Sequence, residues 1–170
     1  TISVSAFLLN RSSDLDLLLI QIGYHLISAN VGDSRAIVVF DDENDPNLNF
    51  LNVIPLSTDF KPELPGEKDR IMMYGGVVDQ LKNKFGMRIG PYRVFARGKD
   101  YPGLAMSRSL GDFIGKKLGI IAEPGVVEYY IGSNTKFFVL GSDGVWEFLS
   151  NDKVKRSRSE ERRVGKECRS

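Results

Sequence analysis

The chain has 170 residues, of which 42% are hydrophobic and 26% charged, a balance typical of one soluble globular domain. No apolar run approaches the roughly 18 residues of a membrane helix, and the net charge of +1 argues against a large basic surface for nucleic acid. The single cysteine, Cys168, cannot form an internal disulfide, so we expect an intracellular protein, cytoplasmic or nuclear, with neither membrane nor nucleic acid as a partner.

The first part of the chain has the pattern of short strands separated by turns. Alternation of apolar and small polar residues predicts a strand over Thr1–Leu9. Three further strand-like runs follow at Tyr24–Val31, Arg35–Phe40 and Phe50–Leu56. Gly-Asp-Ser at 32–34 has the composition of a tight turn. Antiparallel hairpins are favoured, because a parallel pair needs a crossover of a dozen or more residues.

The second part mixes the signals of helix, loop and strand. A short helix is predicted over Pro65–Tyr74, with Gly75 as its cap. The segment Lys82–Gly103 is rich in basic residues and glycine and has weak periodicity, which predicts an inserted flap or loop. Strands are predicted again over Val126–Ile131 and Lys136–Leu140. Paired strands with a few helices predict an α+β domain of two packed sheets with helices outside.

The end of the chain differs from the rest. Ser150 and the four residues after it have the composition of a helix N-cap and first turn. From Lys155 to Ser170 there are seven Lys or Arg and three Glu, a net charge of +4, which leaves residues 1–154 with −3. Two interpretations of this tail are a basic arm for a membrane or nucleic acid and, the favoured one, an extension foreign to the domain. We expect disorder from about Lys155, because the tail cannot bury enough apolar surface to offset its chain entropy.

Two predicted strand ends carry acidic residues. Asp33 ends one strand, where it either bonds its own backbone in a turn, the favoured interpretation of this motif alone, or reaches a hard cation. The apolar run Phe137–Leu140 predicts a strand buried on both faces, followed by Asp143, with Glu147 four residues on. A carboxylate there is costly unless a cation or hydrogen bonds compensate it, and oxygen ligands suit Mg²⁺ or Mn²⁺. Metal and turn interpretations of Asp143 are both open.

Two other segments carry charges without evident chemistry. Leu-Ser-Thr-Asp-Phe-Lys-Pro at 56–62, followed by Glu67, indicates only a strand, a turn and a capped helix. Leu-Ala-Met-Ser-Arg-Ser-Leu-Gly-Asp at 104–112 contains Arg108 and Asp112, which predict a salt bridge between adjacent turns.

In their order, these motifs closely resemble the protein phosphatase 2C family. The matching signatures are Ala-Asn-Val-Gly-Asp-Ser-Arg-Ala at 29–36, Leu-Ser-Thr-Asp with Lys-Pro at 56–62, Arg-Ile and Gly-Gly within 70–76, Leu-Ala-Met-Ser-Arg-Ser-Leu-Gly-Asp at 104–112, Ile-Ala-Glu-Pro at 121–124 and Ser-Asp-Gly-Val-Trp at 142–146. Each is moderately specific, but six in the family's order and spacing leave little room for chance. The resemblance covers residues 1–154, with the tail at 155–170 outside it.

The resemblance implies a β-sandwich of two antiparallel sheets flanked by helices, incomplete here, and a protein serine/threonine phosphatase. In that family two Mg²⁺ or Mn²⁺ ions activate a bridging water that attacks phosphoserine or phosphothreonine in protein substrates. Asp143 resembles a core metal ligand, whereas Asp33 and Glu147 resemble the acidic residues of a further, weaker metal site. Residues 82–103 resemble part of the family's variable flap, which helps select substrates.

The chain also departs from the family pattern. The family's early Glu-Asp pair, its phosphate-binding Arg and its Asp-Gly-His-Gly motif match nothing here and are expected ahead of Thr1, and its late Asp-Asn pair is not found in the tail. Phe60 stands where the family usually has His, and His25, the only histidine, matches no catalytic position. We expect an enzyme whose centre is incomplete in this chain, with weak or absent metal binding and no activity alone. The alternative is a phosphatase-like binding or regulatory module.

Overall fold

A computed structural model describes residues 4–11, 14–41 and 51–155. The expected disorder of the tail concerns residues 156–170, which lie outside this part of the chain, and it stays a prediction. The described strands are β1 (Val4–Arg11), β2 (Asp14–Ile22), β3 (His25–Asn30), β4 (Arg35–Asp41), β5 (Leu51–Pro55), β6 (Gly76–Lys82), β7 (Arg88–Ala96), β8 (Pro102–Leu104), β9 (Gly125–Tyr130) and β10 (Thr135–Gly141). The helices are α1 (Pro65–Met73), α2 (Phe113–Lys116) and α3 (Asp143–Trp146), and residues 151–155 are also helical.

Seven strands form the expected sandwich of two antiparallel sheets. One sheet has the order β1-β2-β3-β9 and the other β10-β4-β5. Leu19 and Leu26 of the first sheet and Ala36 and Val38 of the second belong to one buried cluster. Since β-sandwiches gain most of their stability from interdigitated inner faces, this cluster holds the two sheets together and confirms the α+β prediction.

Strand β4 is buried on both of its faces. Its residues Ile37 and Val39 point away from the sandwich and form a second cluster with Trp146 and Val154. Phe137–Leu140 of β10 contribute side chains to both clusters but are only half-buried, because β10 lies at the edge of its described sheet. We expected this run to be buried on both faces. Both faces do pack against apolar clusters, but the side chains are only half-buried.

The connection between β3 and β4 differs from the predicted hairpin. The two strands do not pair; β3 lies in the first sheet and β4 in the second. Gly32 has a φ of 110°, a left-handed conformation that favours glycine, and Asn30 Nδ2 donates to the carbonyl of Thr58 at 2.7 Å. The turn at 32–34 thus takes the chain from one sheet to the other.

The segment predicted to be a flap or loop contains regular strands. Strands β6, β7 and β8 form a third antiparallel sheet. It packs on α1 and the region after α2 through a cluster of Ile71, Val94 and Ile120. The pairing of β6 with β7 shifts register between Gln80 and Leu81, which pair with Tyr92 and Ile89. This bulge interrupts the two-residue period in β7, so the periodicity of the sequence was weak although the strand is present.

Candidate functional site

Two of the predicted acidic residues emerge at the same end of the second sheet. Strand β4 begins at Arg35 and β10 ends at Gly141, and these two residues are direct partners in the antiparallel pairing. Asp33 lies two residues before Arg35, and Asp143 two residues after Gly141. The fold therefore brings both carboxylates to one end of neighbouring strands, which the separation of 110 residues in the sequence does not reveal.

Asp143 begins α3 and makes a turn contact. Its Oδ1 accepts a hydrogen bond from the backbone N–H of Gly144 at 2.7 Å. The backbone N–H of Glu147 donates to the carbonyl of Asp143 at 2.8 Å, so Glu147 lies one helical turn further on and is exposed. This hydrogen bond supports the turn interpretation of Asp143 for its Oδ1 atom. Residues four apart lie on the same side of a helical turn, so Glu147 lies on the same side of this turn as Asp143.

Asp33 already has a cationic partner from this chain. Only 8% of the residue is exposed, and its Oδ2 forms an ion pair with Lys61 Nζ. The backbone N–H of Phe60 donates to the carbonyl of Gly32 at 2.9 Å, which places the segment 57–61 against the turn. A metal ion at Asp33 would have to compete with Lys61 for this oxygen.

Arg35, which the sequence did not single out, joins the segments around these acids. Its guanidinium donates to both carboxylate oxygens of Asp59, at 2.9 and 2.6 Å, and to Asn151 Oδ1 at 2.8 Å. Hydrogen bonding to Asp59 raises the pKa of Arg35 further above its ordinary value. Bidentate arginine–carboxylate pairs fix orientation as well as distance. Arg35 therefore links the start of β4 to the loop after β5 and to the helical residues 151–155.

Glu67 is the centre of a second network, built from the remaining motifs. It is 7% exposed and accepts hydrogen bonds from Arg70 at 2.6 Å, Arg108 at 2.7 Å and Ser107 Oγ at 2.6 Å. Burial raises the pKa of Glu67, but the hydrogen bonds from Arg70, Arg108 and Ser107 outweigh it and lower the pKa to about 2. Arg108 also lies over the ring of Phe60 at 3.8 Å.

This network corrects the predicted salt bridge between Arg108 and Asp112. Arg108 pairs with Glu67, whereas Asp112 accepts a hydrogen bond from the backbone N–H of Gly115 at 2.9 Å and caps α2. A carboxylate beside a helix N-terminus satisfies backbone donors that have no other partner. The buried carboxylate of Glu67 gains more from Arg108 than the half-buried carboxylate of Asp112 would. The spacing of three between Glu67 and Arg70 was the signal for a helical ion pair.

The two remaining departures from the family pattern have structural roles. Phe60 packs beneath Arg108. The ring of His25 stacks on Tyr130 with centroids 4.5 Å apart, and its Nε2 lies 3.0 Å from Glu128 Oε2. Both contacts support packing rather than chemistry.

The described residues do not by themselves fit a complete metal site. Within 4–11, 14–41 and 51–155 no group of three or more His, Cys, Asp or Glu side chains could hold an ion. Asp33, Asp143 and Glu147 are thus brought to one end of the sheet without forming a closed ligand set. No helix in these ranges is long and apolar enough to cross a membrane.

Comparisons with known proteins agree with the motifs. A model of the family "Protein phosphatase 2C" matches residues 9–165. "Probable protein phosphatase 2C 48" of Oryza sativa subsp. japonica is 39% identical over 136 residues, 80% of this chain and 37% of that protein. "Probable protein phosphatase 2C 72" of Arabidopsis thaliana is 37% identical over 153 residues, 90% of this chain and 44% of that protein.

A solved structure shares the fold. The crystal structure of serine-threonine phosphatase 2C from Toxoplasma gondii superimposes with a TM-score of 0.73 at 25% identity, over 88% of this chain and 47% of that one. The chain spans about two fifths of the length of the two plant relatives. With the family model covering most of the sequence and relatives near 40% identity, the chain belongs to the protein phosphatase 2C family.

Proposed function

We propose that this chain is part of an enzyme that removes phosphate from phosphoserine and phosphothreonine in proteins, with Mg²⁺ or Mn²⁺ as cofactor. The observation that carries the proposal is the placement of Asp33 and Asp143 at one end of the paired strands β4 and β10. Carboxylates at that position suit hard divalent cations. Family membership supports the reaction class, and the similarity to the serine-threonine phosphatase 2C from Toxoplasma gondii supports serine/threonine phosphoproteins as substrates.

In this proposal Asp143 is a core metal ligand, and Asp33 and Glu147 belong to a weaker metal site. The ions would supply an activated water at neutral pH and neutralise charge on the phosphoryl oxygens. Lys61 holds Asp33 by an ion pair, and Arg35 holds the neighbouring segments through its contacts with Asp59 and Asn151. Their part is orientation, since a small displacement of a ligand is costly in a reaction that depends on alignment.

Three carboxylates are too few for two ions, so further ligands are required. A single carboxylate binds Mg²⁺ weakly, because this ion keeps its waters reluctantly. We therefore infer that the chain alone has little or no phosphatase activity. Removing several members of a catalytic unit leaves only a residual rate rather than a proportional fraction.

A second candidate is a phosphatase-like binding or regulatory module without chemistry. The ion pair of Lys61 with Asp33 favours it, because a carboxylate neutralised by the chain does not need a metal. The incomplete ligand set in the described ranges favours it as well. The retained pair of Asp143 and Glu147 at α3 favours the enzyme.

The test is hydrolysis of a phosphothreonine peptide with millimolar Mn²⁺. Three proteins are compared: this chain, a version that includes whatever coding sequence precedes Thr1 in the gene, and that version with Asp143→Asn. Activity in the extended version alone, lost with Asp143→Asn, is the expected result. Robust turnover by the unextended chain would contradict the incomplete centre, and inactivity of the extended version would favour the binding module.

A further inference from the structure

The hairpin of β6 and β7 has one anchored face and one open face. Val78 and Val94 pack with Ile71 and Ile120 and fix the hairpin to α1 and the region after α2. The other side opens into a cavity of about 500 Å³. Val77, Leu81 and Phe95 supply its apolar lining, and Lys82, Lys99, Asp79 and Asp100 contribute charged side chains. A cavity of this size is large enough for one or two side chains of a peptide.

The segment that surrounds this cavity is strongly basic. Residues 76–103 contain six Lys or Arg and two Asp, a net charge of +4, in a chain whose total is +1. Residues 1–75 and 104–154 together carry −7. The basic charge is therefore concentrated in the hairpin and the residues that follow it, within an otherwise acidic domain, and such a concentration attracts anionic ligands.

The two acids of the cavity differ in their partners. Asp79 accepts from Arg88 Nε at 2.9 Å and lies 3.8 Å from Lys82 Nζ. Hydrogen bonding from the backbone N–H of Gln80, followed by the charge of Arg88, lowers the pKa of Asp79. Asp100 has no ion-pair partner among the described residues, and neither do the exposed cations Arg97 and Lys99. Lys99 is thus available to a ligand, and Asp100 is the charge that opposes an anionic one.

Exposed apolar side chains continue from the cavity to the tip of the hairpin. Leu81 is 46% exposed, Ile89 48%, Met87 58% and Phe85 73%. An apolar stripe edged by cations is typical of a protein-binding surface with an apolar centre and a polar rim. A nucleic acid would meet the carboxylates of Asp79 and Asp100 beside the cavity, instead of the uniformly basic groove that single strands prefer.

We propose that this hairpin binds an acidic peptide segment. An apolar side chain of the peptide enters the cavity beside Leu81 and Phe95, and its carboxylates lie against Lys99 and Arg97. We identify this peptide as the sequence that flanks the phosphorylated residue of a substrate. Only this identification rests on the proposed function; the binding of an acidic peptide does not. The enzyme then favours phosphorylation sites with acidic neighbours and an apolar residue among them.

Fluorescence anisotropy with an unphosphorylated peptide tests the surface separately from the catalytic centre. The probe is a fluorescein-labelled ten-residue peptide with four Glu, one Leu and one Thr, and the comparison peptide has Lys in place of each Glu. We expect the acidic peptide to bind this chain at least about tenfold more tightly, with affinity falling as salt is raised, because several exposed charge pairs contribute.

Four variants locate the binding. Lys99→Glu should weaken binding about fivefold, since it reverses one partly screened charge, and Asp100→Asn should tighten it about twofold, since it removes one. Leu81→Ser should weaken it through the lost apolar contact. Lys68→Glu makes the same charge change at an exposed position of α1 outside the cavity and should leave affinity unchanged. All four positions are exposed, and circular dichroism verifies that each variant is folded.

Three outcomes would overturn the proposal, and a fourth would separate it from the proposed function. Equal affinity for the acidic and basic peptides would do so, as would an affinity insensitive to Lys99→Glu. Tighter binding of a single-stranded RNA oligonucleotide than of the acidic peptide would assign the surface to nucleic acid instead. A fourth outcome is selective binding of the acidic peptide, unaffected by Asp143→Asn, together with an extended version that hydrolyses no phosphopeptide. It would support the peptide-binding surface and contradict the proposed enzymatic function.

Discussion

Arg35 and Trp146 hold each other in place across the end of the second sheet. The Arg35 guanidinium carbon lies 5.2 Å from the Trp146 ring centre, while the indole Nε1–H donates to the carbonyls of Arg35 at 3.1 Å and Gly141 at 2.7 Å. The first residue of β4, the last of β10 and the helix that starts at Asp143 are joined by these contacts. The turn carrying Asp143 is therefore fixed to the strand that follows Asp33.

Replacing Arg35 by lysine should destabilise the domain although the charge is kept. Lysine cannot reproduce the bidentate bond to Asp59 together with the bond to Asn151, and we expect a loss of about 1–3 kcal/mol. Urea unfolding followed by the fluorescence of Trp146, the only tryptophan, measures it. Arg88→Lys is the matched control, because Arg88 is exposed and Asp79 is its one ion-pair partner among the described residues. An equal effect of both substitutions would contradict the role of Arg35.

Two glycine substitutions should have opposite effects on stability. A Cβ at Gly141 would lie 2.8 Å from Trp146 Nε1 and 3.0 Å from its Cε2, and we expect Gly141→Ala to cost about 1–3 kcal/mol. A Cβ at Gly66 of α1 meets nothing within 4 Å, so Gly66→Ala should stabilise by about 0.5–1 kcal/mol. Thermal unfolding of the two variants distinguishes them, and a stabilising Gly141→Ala would show that Trp146 does not pack as described.

Glu67 should make stability depend on pH in acid. Its pKa is about 2 in the folded protein, against an ordinary value of 4.5, so its contribution is complete above about pH 5 and is lost as the pH falls towards 2. Glu67→Gln should cost on the order of 3 kcal/mol near neutral pH. The difference from the wild type should shrink between about pH 5 and 3, where Glu67 of the unfolded wild-type chain becomes protonated while the folded carboxylate is still ionised.

Urea unfolding at a series of pH values gives this difference directly. Glu63→Gln is the control, because Glu63 is exposed and we expect no effect at any of these pH values. A gap between wild type and Glu67→Gln that stays constant down to about pH 3 would show that the charge of Glu67 is not what the network stabilises.

Limited trypsin digestion should cut the tip of the flap hairpin before the rest of the described domain. We expect the segment Lys82–Gly103 to be more mobile than its flanks, and Lys82, Lys84 and Arg88 are exposed near its turn. Arg93 is protected by pairing in β7 and by its bond to the carbonyl of Gly103 at 2.6 Å. Mass spectrometry identifies the first products; an initial cut within Tyr24–Phe40 would contradict this architecture.

The parts of the fold that the sequence predicted are those with a local signal. The strand-like run Tyr24–Val31 and the cap at Gly75 depend on neighbouring residues alone, and both were found, the run as β3 (His25–Asn30). The apolar run within Asp14–Ile22 was not assigned to a strand, although β2 lies between β1 and β3. The strand Arg88–Ala96 was missed because its bulge breaks the period.

The candidate site was predictable as a set of residues rather than as an arrangement. The order of the motifs identified the family, and Asp33, Asp143 and Glu147 as metal ligands remain a prediction. Contacts between residues far apart in the sequence could not be predicted. Arg35 contacts Asn151, and Arg108 contacts Glu67, only because distant segments pack together. The sequence predicted Asp112, four residues away, as the partner of Arg108, and this prediction was wrong.

The Mn²⁺ dependence of phosphothreonine-peptide hydrolysis tests the central claim most directly. It is measured on the version that includes any coding sequence ahead of Thr1, as wild type, Asp143→Asn and Asp33→Asn. A core ligand and a weaker site predict different results: Asp143→Asn should abolish turnover at every Mn²⁺ concentration, while Asp33→Asn should raise the concentration needed for half-maximal activity. Full activity of Asp143→Asn at saturating Mn²⁺ would contradict the assignment of the acidic strand ends to a metal centre.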